Sequence, residues 1–121
     1  MKLINRTAVS VLPKQPYVDW VNQLDSSLTG LDRPMTLLDQ LKEGRIYLLA
    51  ERERVEEVQV LLEDGWMNIF KNELGAWDEF EDDWPKPLTR ELFDCWFEVA
   101  AQVLVFDLHS EPLMVAELDD C

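Results

Sequence analysis

The sequence predicts an α+β fold, a sheet of about three strands covered by about four helices, and three observations lead there. Apolar residues alternate in three short runs, they recur at helical spacing in four longer ones, and the segments follow one another in the order β-α-α-β-α-α-β. At 121 residues, with 47% hydrophobic side chains including five Trp and five Phe, the chain carries enough material for one packed core. We expect a single domain over residues 1–108 and an acidic C-terminal tail over residues 109–121.

The first strand is read from "RTAVSVLPK", in which Thr7, Val9 and Val11 alternate with Ala8, Ser10 and Leu12 before Pro13. "QPYVDWVNQL" follows as an amphipathic helix, with Pro16 suited to its first turn and Tyr17, Trp20, Val21 and Leu24 on one face. Residues 25–34, "DSSLTGLDRP", read as a polar loop. Thr36 and Asp39 then stand at capping-box spacing ahead of a short helix that closes at Gly44. "RIYLLA", residues 45–50, is the second strand. From Glu53 to about Leu74 the apolar positions Val55, Val58, Leu62, Trp66, Ile69, Phe70 and Leu74 mark a long helix, in which Gly65 is a candidate kink. Thr89 is placed to cap a last helix with Leu92, Phe93, Trp96 and Phe97 on its buried face. "VAAQVLVFDL" from Val99 is apolar on both sides, as in a central, covered strand. The link between the first two strands is long enough for a right-handed parallel crossover. The tail, "HSEPLMVAELDDC", reads as a loose extension or a docking segment.

Four stretches, "NRTAVSVLPKQPYVDWVN" (residues 5–22), "RIYLLAE" (45–51), "WPKPLTRELFDCWFEV" (84–99) and "VFDL" (105–108), together resemble a family of short uncharacterised bacterial proteins. The resemblance implies one cytoplasmic α+β domain of unknown activity. It carries no catalytic residue over to this chain.

Net charge is −14 and unevenly spread. Residues 1–49 hold six Lys/Arg and five Asp/Glu, net +1, whereas residues 50–121 hold five and twenty, net −15. Such a field repels nucleic-acid phosphates and anionic lipid, so direct nucleic-acid or membrane binding is disfavoured. The N-terminus lacks the apolar core of a secretory signal, and the longest apolar run, Val99 to Phe106, is interrupted by Gln102. A cytoplasmic protein is expected.

Catalytic signatures are sparse. The four glycines are well separated, no phosphate-cradling or nucleophile-elbow motif occurs, and Cys95 and Cys121 fit no metal spacing. Cys95 reads as a small buried hydrophobe and Cys121 as a tail thiol. His109, the single histidine, reads as a polar residue following the last strand. Neither a cofactor nor a catalytic residue is assigned. An alternative is a small carboxylate enzyme or a divalent-metal or ligand-binding protein, using Asp19, Asp94, Glu98 or Asp107 in a cleft beside the aromatic helices.

The candidate binding residues lie in "WDEFEDDWPKP", where Trp77, Asp78, Glu79, Phe80, Glu81, Asp82, Asp83 and Trp84 put five carboxylates among three aromatic rings. The stretch lacks the glycine and spacing of an EF-hand loop. We read it as a solvated acidic turn, with Trp77, Phe80 and Trp84 packed onto the core, that meets a partner bearing a basic surface. The small basic group of Lys2, Arg6 and Lys14 reads as an exposed turn. The charge asymmetry offers a further route, homo-oligomer formation between the near-neutral first part of one copy and the acidic second part of another.

Overall fold

The computed structural model describes residues 1–118, so Cys121 and the end of the acidic tail lie outside the described residues. Its strands are β1 (Lys2–Ile4), β2 (Arg6–Pro13), β3 (Arg45–Ala50), β4 (Phe97–Gln102) and β5 (Val105–Asp107). Its helices are α1 (Gln15–Gln23), α2 (Ser26–Thr29), α3 (Leu37–Leu41), α4 (Val58–Gly75) and α5 (Arg90–Trp96), with a 3-10 turn at Val55–Glu57 before α4.

The α+β class holds, but the sheet differs from the sequence reading. Five strands form two sheets, one in the order β3-β2-β4 and a ribbon of β1 with β5, and every pairing is antiparallel. The long link after β2 therefore folds back to an antiparallel neighbour. The central strand is β2, whose Thr7, Val9 and Val11 are fully buried. The apolar run expected as one central strand is instead split into the edge strand β4 and the ribbon strand β5.

The split has a local cause. Ala8 pairs with Gln102 and Ile4 with Val105, so Asn5, Arg6 and Thr7 face only Val103 and Leu104. One extra residue on the N-terminal strand makes a bulge, which bends the ladder and separates ribbon from sheet.

Packing follows from side-chain alternation. Val9 and Val11 on β2, Tyr47 and Leu49 on β3, and Phe97, Val99 and Ala101 on β4 face the helices. α1 contributes Tyr17, Trp20 and Val21, α4 contributes Leu62, Ile69, Phe70 and Leu74, and α5 contributes Phe93. The aromatic rings interlock, with Tyr17 and Phe97 centroids 4.8 Å apart, Phe93 and Phe97 5.4 Å apart, and Phe70 edge-on to Phe93 at 5.6 Å.

Several helix boundaries match their sequence signals. Thr36 accepts from the Asp39 amide at 3.1 Å while the Asp39 carboxylate accepts from the Thr36 amide at 3.1 Å, a complete capping box. Thr89 accepts from the Leu92 amide at 3.1 Å and starts α5. Other boundaries differ. The polar loop contains α2, started by Asp25 accepting from the Ser27 amide and ended by Gly30 at φ 73°. Gly65 passes through α4 without a break. Cys95 is exposed rather than buried, because Phe93 and Phe97 take the inward positions on either side.

Candidate interaction site

The loop 76–89 joins α4 to α5, and Asp78 organises it. Asp78 is 1% exposed, so it is not one of the solvated carboxylates that its run of acidic neighbours implies. Its Oδ2 accepts from the Asp83 amide at 2.8 Å and its carbonyl from the Trp84 indole at 2.7 Å. The Trp20 indole on α1 donates to the Asp83 carbonyl at 2.9 Å, tying the far side of the turn to the body. Glu81 sits at φ 65°, a left-handed conformation that disfavours a residue with a Cβ, so the surrounding contacts hold the turn against local strain. Asp78 Oδ1 is buried without a hydrogen-bond partner.

These contacts separate the eight sequence-predicted residues into two groups. Trp77 and Trp84 are half-buried against the core and Asp78 is buried; these three are the loop's anchors. Glu79, Phe80, Glu81, Asp82 and Asp83 face solvent. Phe80 corrects the expectation that all three rings pack inward: it is 72% exposed. With Trp77 and Trp84 filling the space over the core, and the backbone reversing at Glu81, the ring between them is turned outward. A hollow beside it is lined by Lys71, Glu81, Asp82, Trp84, Lys86 and Leu88.

The carboxylates of the loop do not converge. Among the described residues no three His, Cys, Asp or Glu side chains gather in a metal-holding arrangement. The acids considered for catalysis are dispersed as well. Asp19 on α1 is exposed and accepts from Gln15, Asp94 on α5 pairs with Arg90 at 3.0 Å, and Glu98 is exposed on β4. Asp107 borders a shallow hollow with Ile4, Asn5 and Pro112, where Lys2 lies 3.5 Å from its carboxylate. His109 is exposed and its Nδ1 accepts from the Glu111 amide at 2.9 Å, so it closes a turn.

One polar cluster escaped the sequence reading. Glu73 on α4 is buried, and its carboxylate accepts from the Tyr47 hydroxyl and lies 3.0 Å from Arg45 Nη1. Its carbonyl accepts from the Tyr17 hydroxyl at 2.7 Å, while Asn72 donates to the Tyr47 oxygen at 2.9 Å. Burial, reinforced by the Glu73 carboxylate, raises the Tyr17 hydroxyl well above its usual range. Tyr47 is pushed up to about 12, first by burial and then by Glu73, against the lowering effect of Asn72. The cluster stitches β3, α4 and α1 together. A signal existed in the sequence: Glu73 falls three residues after Phe70, on the buried stripe of α4.

Comparison of the chain with protein-family models, curated proteins and solved structures finds no match. The site is read from its own residues.

Proposed function

We propose that the protein is a non-enzymatic interaction module that docks a basic partner through Phe80 and the carboxylates around it. The exposure of Phe80 on a loop pinned through Asp78 is the observation that supports this reading most. An aromatic side chain offers a large contact area with few rotamers to freeze, and a loop already held in shape loses little further entropy on binding. Glu79, Glu81, Asp82 and Asp83 flank it in sequence, are all exposed, and steer lysine- or arginine-rich surfaces toward it.

In its most specific form the module is a regulator that offers carboxylates where its partner otherwise holds phosphates. The test immobilises the wild-type chain, Phe80→Ala and Asp82→Lys/Asp83→Lys, and compares what each retains from a cell extract. A protein held by the wild type, lost by both variants and released by salt supports the reading. If every retained protein also binds both variants, while circular dichroism shows them folded, the loop is not a docking site.

A further inference from the structure

The helices pack on one side of the β3-β2-β4 sheet, and none of the described elements covers the other. Register assigns this outer face to Arg6, Ala8, Ser10 and Leu12 of β2, Ile46, Leu48 and Ala50 of β3, and Glu98, Ala100 and Gln102 of β4. Along 97–108, buried or half-buried and exposed positions alternate, and beyond the bulge Leu104 and Phe106 fall among the exposed ones. Leu3 joins them as the cross-strand partner of Phe106.

The result is an apolar surface in a chain of net charge −14. Ile46 is 68% exposed, Leu104 64%, Leu3 59%, Phe106 51% and Leu48 50%. These five side chains alone expose on the order of 500 Å², toward the top of the roughly 300–600 Å² found for the largest patches on monomers. With Leu12, the alanines and the polar margin, the face approaches the ~800 Å² that each partner contributes to a standard interface.

We propose that this face is occupied by a second copy of the chain, stacked sheet on sheet about a two-fold axis. Its charges favour that occupant. Arg6 and Glu98 are the only charged residues the register places on the face, so it is neutral where the rest of the chain is strongly negative. They also lie at opposite ends of β2, Arg6 opposite Ala50 and Glu98 opposite Leu12. A two-fold axis between the sheets and across the strands brings Arg6 of each copy to Glu98 of the partner subunit, and lays Leu48 of each on Ile46 of the partner subunit.

Sedimentation equilibrium of the full-length chain tests this over a concentration and salt series. The expected result is a monomer–dimer equilibrium that salt tightens, because screening relieves the repulsion between two acidic chains. Leu48→Glu should raise the dissociation constant by about 100-fold or more. Arg6→Glu and Glu98→Arg should each weaken the dimer by about tenfold, and the double reversal should recover most of that loss. A wild type that stays monomeric throughout overturns the proposal, whether residues 113–118 of the same chain or an unrelated protein then cover the face. So does a dimer indifferent to Leu48→Glu and to the charge reversals.

Discussion

Phe80, on the loop after α4, and Phe106, on the outer face of the sheet, are both exposed, but their surroundings differ. Phe80 stands among four exposed carboxylates on a turn anchored from below. Phe106 lies on the ribbon strand β5, opposite the exposed Leu3, next to the neutral, apolar outer face of the sheet. A charged rim adds attraction for a basic partner and repels a second acidic chain, whereas a neutral face leaves association to apolar burial. Salt should therefore weaken the association proposed for the first surface and strengthen the one proposed for the second.

The largest perturbation acts on the core that supports both surfaces. Phe93 is fully buried against Phe70, Phe97 and Trp66, between the helices and the sheet. Phe93→Ala should lower unfolding stability by ~3–5 kcal/mol in a urea melt. Asp78→Ala separates them. It leaves the Asp83 amide without its acceptor and should lower stability by ~1–3 kcal/mol, with faster hydrogen exchange confined to residues 78–84. Self-association through the sheet should be unchanged.

Tyr47→Phe acts on the link between sheet and α4. Losing the hydroxyl contacts with Glu73 and Asn72 should lower stability by about 1 kcal/mol in the same urea melt. It also has a pH signature. Tyr17 and Tyr47 both ionise above the unfolded-state value of 10.0 in the folded protein. The stability they contribute is complete below that pH and is lost as the pH rises through the folded-state values. Wild-type melting temperature should therefore begin to fall as the pH passes 10.0, while Tyr47→Phe falls less steeply. The smallest effect is expected for Glu81→Gly, which removes the left-handed strain. It should change the urea midpoint by the equivalent of about +0.5 kcal/mol or less, because the glycine also loosens the unfolded chain.

What the sequence revealed follows the range of the interactions involved. The capping box at Thr36 and Asp39, the cap at Thr89 and the buried stripe of α1 depend on residues within one or two helical turns of each other, and all appear as expected. β1 was missed because its three residues pair only with β5, about a hundred positions later. The division of the last apolar run depends on a bulge in the opposite strand, and nothing in "VAAQVLVFDL" itself marks it. In the loop 76–89, the acidic and aromatic composition suggests one solvated turn, whereas the folded chain gives its residues different roles. Asp78 has the same local chemistry as Asp82 and Asp83, and only the folded turn assigns it inward and Phe80 outward. The outer sheet face was present as apolar character on both sides of the strands. It looked like a covered centre because a strand's sequence does not say whether a second layer exists.

Side-chain footprinting of the purified chain by carbene labelling, at low and high protein concentration, tests the division between the two faces most directly. Phe80 should label strongly at both concentrations, while Ile46 and Leu48 should label at the low one and become protected at the high one. Protection of Phe80 in the purified protein, or labelling of Leu48 that is indifferent to concentration, would contradict the account.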